Sequence, residues 1–201
     1  MSSSLVVLPK PVIRAGTSLE QTLAQRRSHR TFADTPVTLA QLAQLLWAGQ
    51  GRTGDYDGRT APSAGGVHPL RLYVVAGLVD GLSSGIYRYR PATHDLETLA
   101  TGDLRAALRA ATGHQECLGE GAVDIVIGAA TAATAERYGE RGLRYLHMEA
   151  GHVGQNICLQ ATALGLVTTT VAAFDDDAMA SGAGLEPGEI ALYAMPVGHP
   201  R

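Results

Sequence analysis

The chain has 201 residues, a hydrophobic fraction of 45%, a charged fraction of 17% and a formal net charge of −3. That length and apolar content suit one domain with a sizeable core and exclude intrinsic disorder. A mildly acidic chain lacks the basic footprint of a nucleic-acid binder, so any arginine cluster in it is a local receptor for one anion and not a surface for a polyanion.

Residues 1–17 read as an extended arm, with Pro9 and Pro11 opposing helix, and residues 18–201 as a single domain. The apolar run at the start is four residues long and has no leading positive charge, too little for a signal-peptide core. SLEQTLAQRR predicts a first helix capped by Ser18. VTLAQLAQLLWAGQG predicts a second, opened by a Thr38–Gln41 capping box and closed by Gly49 and Gly51. Residues 51–69, rich in Gly, Pro, Asp and Ser, read as loop throughout.

LRLYVVAG then predicts a strand, and GIYRYRPATHDLETLA a hairpin turning at Pro91. A short helix (GDLRAALRAA), a buried strand (AVDIVIGAA) and a long helix over residues 140–165 follow; Ala150, Gly151, Gly154 and Ala161 permit close packing of that helix. LVTTTVAAF predicts a strand, DDDAMASG a short helix capped by Asp175, Asp176 and Asp177, and EIALYAMPVG the last strand. Residues 153–174 are uncharged and long enough to span a bilayer, but Gln155, Asn156, Gln160 and several threonines argue for a buried helix and strand instead. Strands alternating with helices, plus a hairpin, give an α+β layered domain.

Two residue types narrow the chemistry by being scarce. Lys10 is the sole lysine, in a Pro-flanked arm, so Schiff-base chemistry, pyridoxal phosphate attachment and a Walker A loop are excluded. Cys117 and Cys158 share no Cys-x-x-Cys spacing, which predicts two reduced thiols, no zinc site and a cytoplasmic location.

The segment QRRSHRTF is the first anomaly. Leu19 and Leu23 mark an apolar helix face whose continuation falls on Arg26, Arg27 and Arg30. Burying three guanidinium groups needs partners. Asp34, Asp55 and Asp57 could supply internal salt bridges; a bound phosphate, matched bidentately by arginine forks and by Ser28, is the more economical answer. The second anomaly is APSAGGVHP, whose small side chains leave the backbone open to a flat ligand.

These stretches, with YLHMEAGHVGQNICLQATALGL, VTTTVAAFDDD and the terminal MPVGHP, resemble the FMN-dependent nitroreductase family over nearly the whole chain. The hairpin GIYRYRPATHDLETL is most similar to the SagB-type dehydrogenase subgroup. The resemblance implies a nitroreductase-like three-layer α+β fold, with a mixed, mainly antiparallel sheet flanked by helices, in an intertwined homodimer holding FMN at the subunit interface. It implies that Arg26, Arg27, Ser28 and Arg30 hold the phosphate, ribityl and pyrimidine parts of FMN, and that Pro62, Ser63, Ala64 and Gly65 reach the flavin from the other subunit. Thr170, Val171, Ala172 and Ala173 would line the ring, with a backbone N–H near Ala172 on flavin N5. The implied activity is ping-pong hydride transfer from NAD(P)H through FMN to a small organic acceptor, with no protein acid, base or nucleophile. Nucleic acid and membrane have no part in it.

Two features depart from that pattern. The chain stops at VGHPR, leaving Arg201 as the candidate for the basic tail that reaches the phosphate, and the lysine–tyrosine pair of azoline dehydrogenases cannot be formed with Lys10 alone. A SagB-like dehydrogenase acting on a heterocycle or modified peptide, or a non-catalytic flavin-binding module, are the alternatives. Glu149-x-x-His152 has di-iron spacing but no second copy, so no metal is expected. GAGLEPG precedes a strand and is no dinucleotide motif. His68 and Tyr138 are candidates to lie over the flavin.

Overall fold

Alternate residues of the strand LRLYVVA enter two different cores: Leu70, Leu72, Val74 and Ala76 one, Tyr73 and Val75 the other. Successive side chains of a strand point to opposite faces, so a strand apolar on both must lie inside a sheet covered by helices on each side. The computed structural model, which describes residues 4–14, 16–54, 58–113 and 115–201, has that sheet. Its seven strands run in the order β1 (Leu5–Val7), β8 (Asp95–Thr101), β7 (Gly85–Arg90), β5 (Leu70–Ala76), β9 (Val123–Ala130), β11 (Glu189–Gly198) and β10 (Val167–Thr168), each antiparallel to its neighbours. Outside it, β2 (Val37–Thr38) pairs parallel with β6 (Val79–Asp80), and β3 (Arg52–Thr53) antiparallel with β4 (Gly58–Arg59).

Helices α2 (Leu39–Gln50) and α5 (Arg141–Ala163) supply the core on the Leu72 face. Helices α3 (Arg105–Ala110) and α6 (Asp176–Ala183) supply the core on the Tyr73 face. Against α5 also pack α1 (Leu19–Gln25) and α4 (Thr131–Tyr138). The result is three layers, helix–sheet–helix.

Local chemistry accounts for most of the boundaries. Both capping boxes form: Ser18 with Gln21 opens α1, and Thr38 with Gln41 opens α2. Asp175 caps α6 by accepting from the Ala178 N–H at 2.8 Å. At Gly49 an added methyl would lie 3.1 Å from Leu72 Cδ1, so α2 lies close on β5 there. The extended arm is not free-standing: β1 extends the sheet along β8, and Gln44 clamps Val12 by accepting from its N–H at 2.8 Å and donating to its carbonyl at 3.1 Å.

Four expectations need correction. Helix α1 ends at Gln25, so Arg26, Arg27 and Arg30 do not continue a helix face. Leu19 and Leu23 are 60% and 52% exposed, and the face they mark is not buried by this chain. Residues 51–69 are not loop throughout; they include β3, β4 and a short 3-10 turn at Ala64–Gly66. LVTTTVAAF is a strand only at Val167–Thr168: Thr169 lies opposite Pro196, which has no N–H to donate, and pairing resumes only as the Val171–Ala194 bridge. Finally, Gly151 of α5 faces open space, while Gly154 packs near Tyr193 and Thr170. No helix among the described residues is long and apolar enough to cross a membrane.

Candidate functional site

The arginine segment leaves α1 in extended conformation and joins the sheet edge. Ser28 bridges Thr168 in parallel, with the His29 N–H donating to the Thr168 carbonyl at 3.1 Å. Phe32 bridges Pro200, and the Ala33 N–H donates to the His199 carbonyl at 3.0 Å. Residues 26–33 are thus threaded between β10 and the C-terminal residues, so that Arg26, Arg27, Ser28, Arg30, residues 170–173 and Arg201 share one edge of the sheet.

No carboxylate among the described residues forms an ion pair with Arg26, Arg27 or Arg30. Arg27 donates only to carbonyls of its own helix end, Ala24 at 2.9 Å and Arg26 at 2.7 Å. Asp34 contributes instead to the field at Arg105, whose ion-pair partner is Asp103 at 2.6 Å. Asp55 and Asp57, the other expected partners, lie outside the described residues. Burial pushes the Cys158 and Cys117 thiols up, with Arg26 and Arg30 respectively pulling them back. Both cysteines are buried and free.

Beside the arginines, Thr170, Ala172 and Ala173 are exposed and Val171 is buried. Small exposed side chains on a strand-like edge leave a flat platform. Next to Ala172 opens a cavity of about 640 Å³, lined by Leu143, His147, Ala150, Phe174 and Tyr193, with Asp176 at its rim. That is the size range of small-molecule pockets, and its walls are mainly apolar.

The APSAGG loop is held elsewhere. Gly65 has φ +59°, and a methyl group there would lie 2.2 Å from Tyr138 Oη and 2.8 Å from Arg137 Cζ. Glycine is therefore required twice, by conformation and by space. Arg137 Nη1 donates to the Gly65 carbonyl at 3.0 Å, and Tyr138 stacks edge-on against Tyr145 at 5.0 Å. Ser63 Oγ accepts from the His68 N–H at 2.9 Å. The Glu149 carboxyl is pushed up by burial and drawn back by the neighbouring Ser63 and His152. Glu149 is 3% exposed, and its Oε1 has no hydrogen-bond partner among the described residues.

Two groups of candidate residues therefore lie in one chain: Arg26–Arg30 with Thr170–Ala173 and Arg201, and Pro62–Gly65 with Arg137, Tyr138 and Glu149. No hydrogen bond among the described residues joins them. Sequence reasoning left Tyr138 unplaced and missed Arg137, because α4 has no apolar period to announce it; Thr134 is its one buried residue. Glu149 was read only against a metal site, and among the described residues no three metal-ligating side chains cluster.

Comparison with known proteins identifies the family. The model of the nitroreductase family matches residues 23–199. The nitroreductase-family protein MJ1384 of Methanocaldococcus jannaschii is 38% identical over 180 residues, 90% of each chain. A crystal structure of a nitroreductase-like protein from Ralstonia eutropha superposes with a TM-score of 0.87 at 29% identity, covering 98% of this chain and 90% of that one. The microcin B17-processing protein McbC of Escherichia coli is 27% identical over 138 residues, 66% of this chain and 51% of McbC. With the arginine segment, the glycine loop and six of the seven strands of the main sheet inside the matched span, the chain belongs to the nitroreductase family.

Proposed function

We propose that the chain is an FMN-dependent oxidoreductase that takes electrons from NAD(P)H and passes them to a small organic acceptor. One observation carries the reading: the Ser28–Thr168 bridge lays arginines without carboxylate partners beside an exposed strip of small residues. Members of the family generally use a flavin, and these residues fit FMN by their chemistry. Guanidinium groups lacking an internal anion suit a phosphate, and a strip without bulky side chains suits a flat ring. In this reading Arg26, Arg27, Ser28, Arg30 and Arg201 hold the phosphate and ribityl chain, and the backbone around Ala172 lies against the ring.

When bound, the flavin supplies two-electron transfer through N5. The chain's own residues bind, orient and exclude water. The cavity beside Ala172 takes donor and acceptor in turn, its apolar walls favouring a planar organic molecule. Pro62–Gly65 reach the flavin from the partner subunit of a homodimer. Two features support that dimer: no hydrogen bond among the described residues joins the two groups within one chain, and Leu19, Leu23, Leu143 and Met148 are exposed on α1 and α5.

The similarity to McbC favours a second reading, a SagB-type dehydrogenase whose electrons come from a heterocycle or modified peptide. The visible spectrum separates the two. Protein purified yellow should bleach on anaerobic addition of NADPH or NADH. Yellow protein that stays oxidised with both donors favours the dehydrogenase, and colourless protein that takes up no FMN ends both readings.

A further inference from the structure

Strands β5 and β7 pair from Ala76–Gly85 to Tyr73–Arg88 and then part. Beyond that point β5 stays paired with β9 down to Leu70–Ala129, and β7 stays paired with β8 up to Arg90–Asp95. The fork encloses a cavity of about 270 Å³. Its walls carry Gln50 from the end of α2, Arg59 from β4, His68 and Arg71 from the entry to β5, and Arg88 and Arg90 from β7. No carboxylate lines it among the described residues.

The basic residues divide by partner. Arg88 is paired with Glu97 at 2.7 Å and with Glu186, and Arg90 grips Asp95 through two 2.7 Å hydrogen bonds. Arg71 has no such partner among the described residues; its Nη1 donates to the carbonyls of His68 at 3.1 Å and Leu70 at 3.2 Å. Gln50 is 1% exposed, and its amide nitrogen has no acceptor among the described residues. A buried amide donor without an acceptor is destabilising by roughly 1–3 kcal/mol unless something supplies one.

We propose that this fork is an anion-binding site for a small phosphate monoester, with Arg71 and the Gln50 amide as its donors. Donors arrive from α2 on one side and from β5 on the other, which suits an anion with several outward oxygens better than a planar carboxylate. The volume, about nine times that of one water, admits a phosphate and a short organic substituent but not a nucleotide. The site lies on the β5–β7 side of the sheet, separated from β10 and its arginine segment by β9 and β11. It does not depend on the flavin reading.

The test uses full-length Arg26→Ala/Arg30→Ala protein, which removes the other candidate phosphate receptor while altering side chains at the sheet edge only. Thermal unfolding is followed at low ionic strength while inorganic phosphate, glycerol phosphate or acetate is added, with chloride at equal ionic strength as reference. The proposal expects saturable stabilisation by both phosphates and at least tenfold weaker binding of acetate. Gln50→Leu and Arg71→Met should each weaken phosphate binding tenfold or more; Gln50→Leu serves alone if Arg71→Met does not fold. Binding of inorganic phosphate but not of the ester would mean free phosphate is the ligand and overturn the monoester assignment. Phosphate no better than chloride, or undiminished in Gln50→Leu, would overturn the site. Neither result bears on flavin binding, which is read separately by absorbance.

Discussion

Two arginine-rich segments of this chain, RRSHR at 26–30 and RYR at 88–90, look alike in sequence and serve opposite ends. In the hairpin, Arg88 and Arg90 lie directly across from Glu97 and Asp95 in the β7–β8 register, and each forms an ion pair with its cross-strand partner. These cross-strand pairs hold the hairpin register. At the sheet edge, Arg26, Arg27 and Arg30 meet no carboxylate among the described residues. In the proposed reading, a cluster of cations with no carboxylate partner among the described residues is a receptor, and one paired across the strands is a strut. The partner inventory, not the arginine count, separates them.

The largest effect should come from removing the receptor. Arg26→Ala and Arg30→Ala should each weaken FMN binding by about 10- to 100-fold, the worth of a charged hydrogen bond, and together they should leave the purified protein colourless. Their unfolding temperatures should stay within a degree or two of the parent, because no internal ion pair is broken. Equilibrium dialysis against FMN, alongside thermal melts, checks both parts. Retention of full flavin by the double variant would erase the distinction between the two segments.

Gly65→Ala comes next. The added methyl collides with Tyr138 Oη and forces a left-handed backbone onto alanine, so the loop must move. Turnover with NAD(P)H and a quinone should fall by tenfold or more while the sheet core melts as before. Unchanged turnover would mean that the loop does not touch the reacting groups.

Arg90→Met tests the strut. It leaves the buried Asp95 carboxylate without its partner, so the unfolding temperature should drop by a few degrees while FMN binding is unaffected. Arg90 holds the Asp95 carboxyl below its ordinary range, so the contribution is present above that range and fades as pH falls through the folded value. The difference between parent and variant should therefore shrink in acid.

The smallest effect concerns Asp124, a charge in the core that belongs to neither segment. Burial pushes its carboxyl up to about 7, against hydrogen bonds from the Gly119 N–H. A raised carboxyl stabilises the fold most below its unfolded value of 3.8, and that contribution is lost as pH rises to about 7. The parent should lose stability over that window, and Asp124→Asn should flatten that part of the profile in a pH series of melts.

What the sequence revealed follows the range of the forces involved. The Ser18 cap, the Thr38–Gln41 capping box and the whole of β11 were legible because each is decided within a few residues. The unusual run of arginines at 26–30 was legible too. Its geometry was not, because Arg26 leaves the helix to follow a strand edge far along the chain, at Thr168. The break after Thr168 depends on Pro196 in a neighbouring strand, and the grip on Gly65 depends on α4, a helix with almost no buried face. These are tertiary choices that local pattern does not encode.

The central proposal is that Arg26, Arg27 and Arg30, which meet no carboxylate among the described residues, receive a phosphate. The most direct measurement compares the affinity of flavin-free protein for FMN and for riboflavin, which differ by that phosphate alone. The account predicts that FMN binds at least 100-fold more tightly and that the gap closes in Arg26→Ala/Arg30→Ala. Equal affinity of the parent protein for the two flavins would contradict it.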